Sequence, residues 1–203
     1  MTCDQALPAG NARCGNPVCN WSDREFEWNY AVAMRDGALK QAIHRYKYGG
    51  QTGWAMVFGR VLAGFLHEDQ ELFGAFDLIA PSPTYVGAGG RSFDHTAMVL
   101  AEAAALDTVG FTYALDPPPI IKTGPTTPLV DLRTWRERYE MCAHTLPDLL
   151  AVPDPSVVAG KDVLVYDDVF TDGLNLNAVA GALAQAGAAR VCGVSLCRQP
   201  WLG

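Results

Sequence analysis

The 203-residue chain contains no apolar run approaching the roughly 18 residues that a membrane-spanning helix requires. No membrane span is expected. Its first twenty residues also lack the apolar stretch of a secretory signal, so the expected location is cytoplasmic. Basic residues are in the minority, 15 Lys and Arg against 22 Asp and Glu, for a formal charge of −7. That balance argues against a general polyanion-binding surface, while leaving room for a local basic patch. Nucleic acid is therefore not the expected partner. The one exception is a short region carrying Arg35, Lys40, Arg45, Lys47 and Arg60; single-stranded DNA held there would be released steeply by salt. His44, His67, His95 and His144 show no catalytic spacing, so no nucleophilic triad is visible. Internal repeats and low-complexity tracts are absent as well.

What is present suits one compact domain with a small appendage: 49% of residues are hydrophobic and 18% charged. Cys3, Cys14 and Cys19 crowd the stretch "TCDQALPAGNARCGNPVCNW", among glycines, prolines and polar residues that cannot build a core. In a cytosolic chain such clustering favours a structural zinc site over a disulfide framework; the competing reading is a disordered remnant. Zinc takes four ligands, and only three thiols are here. The fourth would come from Asp4, His44, Cys142 or a residue upstream of Met1. Residues 1–22 are accordingly read as a zinc-ribbon-like appendage and 23–203 as an α/β domain. Cys192 and Cys197, in "RVCGVSLCR", read as core thiols of a buried strand.

Past the appendage, helices and strands alternate. Asp36 reads as the cap of a helix on which Leu39, Ala42, Ile43 and Tyr46 recur at helical spacing, ended by "YGG" at 48–50. Trp54, Val57, Phe58, Val61, Leu62 and Phe65 repeat the pattern in a second helix. "FDLIAPSP" at 76–83 is a short strand stopped by prolines, and Asp94 caps a helix carrying Met98, Ala101 and Ala105. A further short strand is expected at Ile120 and Ile121. "DVLVY" at 162–166 is a continuous apolar run of strand length. The helix after it carries Leu176, Val179, Ala180 and Leu183, and Gly187 ends it before the strand "RVCGVSL". Strand, loop, helix and strand make a βαβ unit, hence a parallel sheet with a right-handed crossover. "PDLLAVPDPSVVAG" at 147–160 is the most linker-like segment.

Ligands of open α/β sheets bind at the carboxyl ends of strands. Asp167 and Asp168 directly follow the apolar run, and "TDGLN" at 171–175 leads into the next helix. Such a loop lets main-chain N–H groups and the helix N-terminus converge on a phosphate. Paired acids accept from vicinal hydroxyls or hold a divalent cation. A sugar phosphate satisfies both halves.

"VLVYDDVFTDGLN" resembles the phosphoribosyl pyrophosphate (PRPP) signature of type I phosphoribosyltransferases: an apolar strand, two acids, then a Thr-Thr-Gly-x-Thr phosphate loop. Over nearly its full length the chain is similar to the ComF-type competence proteins within that group. The parts occur in the same order: the cysteine cluster, "YKYGG" at 46–50, "PSP" at 81–83, "RSFDH" at 91–95, "RTWRER" at 133–138, and the signature.

The resemblance implies a phosphoribosyltransferase-type parallel sheet flanked by helices. It implies magnesium-dependent transfer of a phosphoribosyl group to an unidentified acceptor, with release of pyrophosphate. Asp167 and Asp168 would hold the ribose hydroxyls, directly or through magnesium, and Thr171, Asp172, Gly173, Leu174 and Asn175 the 5′-phosphate. Pro83, Thr84 and Tyr85, with Arg91 beyond them, would correspond to the pyrophosphate loop. The segment 122–138 would form a hood offering Lys122, Arg133, Arg136 and Arg138 to phosphates. Tyr46, Lys47 and Tyr48 are read as packing residues. The alternative is a non-catalytic module that senses PRPP or a nucleotide and binds DNA-uptake proteins. The chain departs from the family pattern where Asp172 stands for the second Thr, Asn175 for the last, and "RSFDH" for "RGFNQ". An unpaired carboxylate at 172 facing a phosphate about 4 Å away would repel it by roughly 4 kcal/mol at a surface-like dielectric. The escapes are to turn outward or to cap the following helix.

Overall fold

The computed structural model describes residues 2–4 and 14–200. In chain order, β1 (Asn29–Met34) is followed by α1 (Gly37–Gly49), α2 (Trp54–Glu68), the single turn α3 (Gln70–Phe73) and β2 (Leu78–Pro81). Then come α4 (His95–Ala105), β3 (Ile121–Lys122), α5 (Trp135–Glu140), β4 (Leu150–Ala151), β5 (Asp162–Phe170), α6 (Leu174–Gln185) and β6 (Arg190–Arg198). The main sheet is fully parallel, in the order β1-β6-β5-β2. β3 and β4 form a separate antiparallel ribbon. The chain is thus α/β, with a four-stranded parallel sheet flanked by helices and a cysteine cluster at its N-terminal end.

Period-two alternation along β5 builds two cores from one strand. Leu164 and Tyr166 face Ile43 and Tyr46 of α1, Phe58, Leu62 and Leu66 of α2, and Val99, Leu100 and Ala103 of α4. Val163 and Val165 face the other way, toward Leu176, Val179 and Leu183 of α6. Each fully buried aliphatic side chain contributes about 2 kcal/mol of apolar burial. α2 and α4 approach so closely that a Cβ at Gly59 would stand 2.4 Å from Glu102 Cβ, and only glycine fits.

Termini follow from local chemistry. The Asp94 carboxylate accepts from the N–H groups of Thr96 and Ala97 and so caps α4. Gly50 adopts the left-handed conformation, φ +66, that ends α1. Thr134 and Glu137 form a reciprocal capping box on α5.

Four readings are corrected. β5 does not stop at Tyr166 but continues through both acids to Phe170, because Val169 and Phe170 pair with Cys197 and Arg198. α4 buries Val99, Leu100 and Ala103, while Ala101 and Ala105 are exposed. On α2, Val57 and Val61 are exposed, and the inner face is Ala55, Phe58, Leu62 and Leu66. The stretch 147–160, rather than acting as a linker, carries two 3-10 turns and β4, which pairs with β3.

Of the segment 1–22, residues 1 and 5–13 lie outside the described residues, as do 201–203. The rest docks against the sheet. Asn29 N–H donates to Thr2 O, the Asp4 carboxylate accepts from Ala31 N–H, and Cys3 and Val18 share a core with Phe26 and Leu174. Among the described residues no helix is long and apolar enough to cross a membrane.

Candidate functional site

The carboxyl ends of all four parallel strands open into one cleft of about 950 Å³. β2 contributes the loop from Ser82 to Arg91, β5 the loop from Thr171 to Gly173, β6 Gln199, and β1 Arg35. Pro125–Pro128, Leu129, Leu132 and Trp135 form the opposite wall. The cleft lies where a parallel sheet places its ligands.

Being inside β5, the two acids point to different surroundings. One Asp167 oxygen accepts from Asp168 N–H at 2.9 Å and the other from Asn175 Nδ2 at 3.1 Å. Each oxygen retains a lone pair for a ligand in the cleft. Asp168 is 3% exposed. Its carboxylate takes Lys47 Nζ at 2.9 and 2.7 Å on its two oxygens, with His95 Nε2 3.5 Å away. Burial pushes the Asp167 carboxyl up and the neighbouring Asp168 charge adds to the shift, whereas Asp168 is held low because Lys47 outweighs the burial that opposes it. Burial lowers the His95 imidazole to about 3, leaving it neutral near pH 7.

The loop before α6 offers an anion cradle. Gly173 has φ +87, and a Cβ there would stand 2.8 Å from Phe170 Cζ, so the turn needs glycine on both counts. Among the described residues nothing accepts from the main-chain N–H groups of Thr171, Asp172 and Gly173. The repulsion raised for a carboxylate at 172 is relieved by its partners. Asp172 is buried, one oxygen accepts from Leu174 N–H at 3.2 Å, and the other accepts from Arg138 Nε at 2.8 Å. The residue capping α6 is Gly173, so Asp172 neither caps nor turns outward; it bonds the N–H of the first residue of the helix, and an arginine neutralises its charge. Leu174 itself turns into the core.

Pro83, Thr84, Tyr85, Arg91, Lys122 and Arg138 all line the cleft. Arg91 lies 4.4 Å over the Tyr48 ring and donates to its hydroxyl at 3.3 Å. Lys122 donates to Thr126 Oγ1, and burial lowers its ammonium pKa. Neither cation joins an ion pair among the described residues. Arg133 and Arg136 are exposed and outside the lining, because α5 turns Trp135 and Arg138 inward at helical spacing. Sequence reasoning missed Lys47 and Tyr48 as site residues. Both line the cleft, and the signals that could have found them were the "YKYGG" match at 46–50 and, for Lys47, its place in the basic region.

The thiols of Cys3, Cys14 and Cys19 lie within 4.8 Å of one another, with the Cys3 and Cys14 sulfurs 3.6 Å apart. Three converging sulfurs can hold a metal ion. No fourth His, Cys, Asp or Glu of the described residues joins them: Asp4 is committed to Ala31, His44 lines the cleft, and Cys142 lies in a groove beside α6. Their neighbour Asn16 is fully buried; its side chain donates to Asp172 O at 2.9 Å and its N–H to Cys14 Sγ at 3.5 Å. Protein-family models and curated proteins were compared with the chain, and none matches.

Proposed function

We propose that the chain is a phosphoribosyltransferase-like protein that binds PRPP in this cleft and transfers its phosphoribosyl group. The observation that carries the reading is Asp167, braced by Asn175, beside a loop whose N–H groups are free to take a phosphate. Asp167 and Asn175 would hold ribose hydroxyls, and the loop from Thr171 to Gly173 the 5′-phosphate. Arg91 and Lys122, cations without acidic partners among the described residues, would neutralise the pyrophosphate as it leaves. In the transfer the C1′–O bond to pyrophosphate breaks, with its electron pair leaving on pyrophosphate. A lone pair of the acceptor forms the new bond to C1′, and the acceptor's proton passes to solvent.

A hard, oxygen-only donor fits magnesium, which is commonly held by one or two carboxylates together with ligand phosphates. Asp167 would hold it; Asp168, with an ammonium 2.7 Å away, is already satisfied. Magnesium, when bound, supplies positive charge to the departing pyrophosphate. Calorimetric titration with PRPP, with and without magnesium, tests the reading. Wild type should bind with magnesium, and Asp167→Asn should lose about tenfold or more, since a hydrogen bond to a charged group is worth about 1.5–3 kcal/mol. Failure of wild type to bind PRPP in both conditions overturns the assignment. Binding without pyrophosphate release across a panel of acceptors would mark a sensing module instead of an enzyme.

The N-terminal thiols are assigned to zinc, which would supply folding energy to a segment that has little core of its own. Metal analysis of purified protein should give up to about one zinc per chain, lost in Cys14→Ser. Unchanged zinc in that variant removes the thiols from the site.

A further inference from the structure

The cleft continues past the acids to the far edge of the sheet, where Arg35 follows β1. Its backbone is fixed there, since Arg35 N–H donates to Arg198 O at 2.7 Å at the end of β6. Its side chain is fixed too: Nη1 donates to Gln199 Oε1 at 2.8 Å, and Gln199 N–H is in turn bonded to Phe170 O at the end of β5. Nε and Nη2, which together form the side-on edge of a guanidinium, make no hydrogen bond to the described residues, and Nε is buried. Arg35 also belongs to none of the ion pairs among the described residues, whereas Lys47, Arg138 and Arg190 each face a carboxylate.

A guanidinium held on one side and unpartnered along its two-donor edge matches the two oxygens of a carboxylate or phosphate. Its place in the sheet separates it from the PRPP contacts. β1 and β5 both flank β6, so their ends stand about 10 Å apart at the usual strand spacing, and Arg35 lies on the side away from β2 and Arg91. With pyrophosphate toward β2 and ribose at β5, the free flank of the anomeric carbon looks toward β1.

We infer that Arg35, positioned by Gln199, anchors an oxyanion of the acceptor, so that the acceptor is a carboxylate- or phosphate-bearing small molecule and not a neutral base. This rests on the PRPP reading for the word acceptor, but the anion site itself does not.

The test uses the whole protein, labelled with ¹⁵N, with the Arg35 Nε–H resonance assigned by its loss in Arg35→Lys. Benzoate, orthophosphate and the neutral benzamide are titrated with and without magnesium and PRPP. Benzoate or orthophosphate should shift the Arg35 signal while benzamide does not, and the tighter of the two names the oxyanion. Arg35→Gln should weaken that anion at least about tenfold and leave PRPP affinity within about twofold, its melting temperature confirming the fold. An Arg35 signal unmoved by both anions, or equal responses to benzoate and benzamide, overturns the inference. Loss of PRPP binding with the Arg35 shift intact would instead remove the transferase reading and leave an anion site.

Discussion

Asp168→Asn should melt the protein roughly 10 °C below wild type, while Asp167→Asn melts close to it. The two acids are neighbours in sequence, yet one is a structural counter-ion. Asp168 is almost completely buried, and Lys47 reaches it from α1 at 2.7 Å. Removing one member of a buried pair costs about 3 kcal/mol or more, because the partner keeps its charge without compensation. For a domain of this size each kcal/mol shifts the midpoint by roughly 2–4 °C. Among the described residues Asp167 holds only Asn175 and a main-chain N–H, contacts an asparagine keeps in part. Lys47→Met should fall as far as Asp168→Asn, and the double variant should melt above the sum of the single losses. Equal melts for the two single acid variants would mean that the Lys47 contact contributes nothing to stability, and the split of roles would be abandoned.

Asp172→Thr should lower stability yet tighten anion binding by about tenfold, roughly 1.4 kcal/mol. The threonine hydroxyl can still accept from Leu174 N–H, so the start of α6 is kept. What is lost is the charge facing Arg138 Nε, 2.8 Å away. The released guanidinium then has a phosphate in the adjoining loop as its best remaining partner. Because a ligand that binds only the folded state raises its stability, ribose 5-phosphate should raise the melting temperature of the variant more than that of wild type. A variant that melts lower and binds ribose 5-phosphate more weakly would show that the Asp172–Arg138 pair shapes the loop, and that arginine release does not compensate.

Local signals carried the βαβ unit from Asp162 to Arg198: an apolar run of strand length, a small-residue loop, a helical stripe and a glycine stop. They did not carry β1, an edge strand whose "NYAVAM" lacks clean alternation and buries only Asn29 fully. Nor did they show where β5 ends, since two aspartates look like a strand stop until Val169 and Phe170 are seen paired with β6. That a cleft would lie at the carboxyl end of β5 was legible for the same local reasons. Its charge pairing was not. Lys47 and Asp168 are 121 residues apart and Arg138 and Asp172 are 34 apart, and neither spacing has a periodicity that would announce it. The escapes read for Asp172, turning outward or capping the helix, therefore did not include the partner the fold supplies, Arg138.

Asn16 joins two chemistries that the sequence keeps far apart. One amide holds the carbonyl of Asp172 while its backbone leans on a sulfur of the thiol cluster. Linkage between two bound states is reciprocal. An oxidation or demetallation that displaced Asn16 would loosen the cradle's grip on an anion by a certain factor, and an anion seated in the cradle would protect the thiols by that same factor. Damage at the thiols would then be recorded at the ligand cleft, through the backbone and side chain of a single residue.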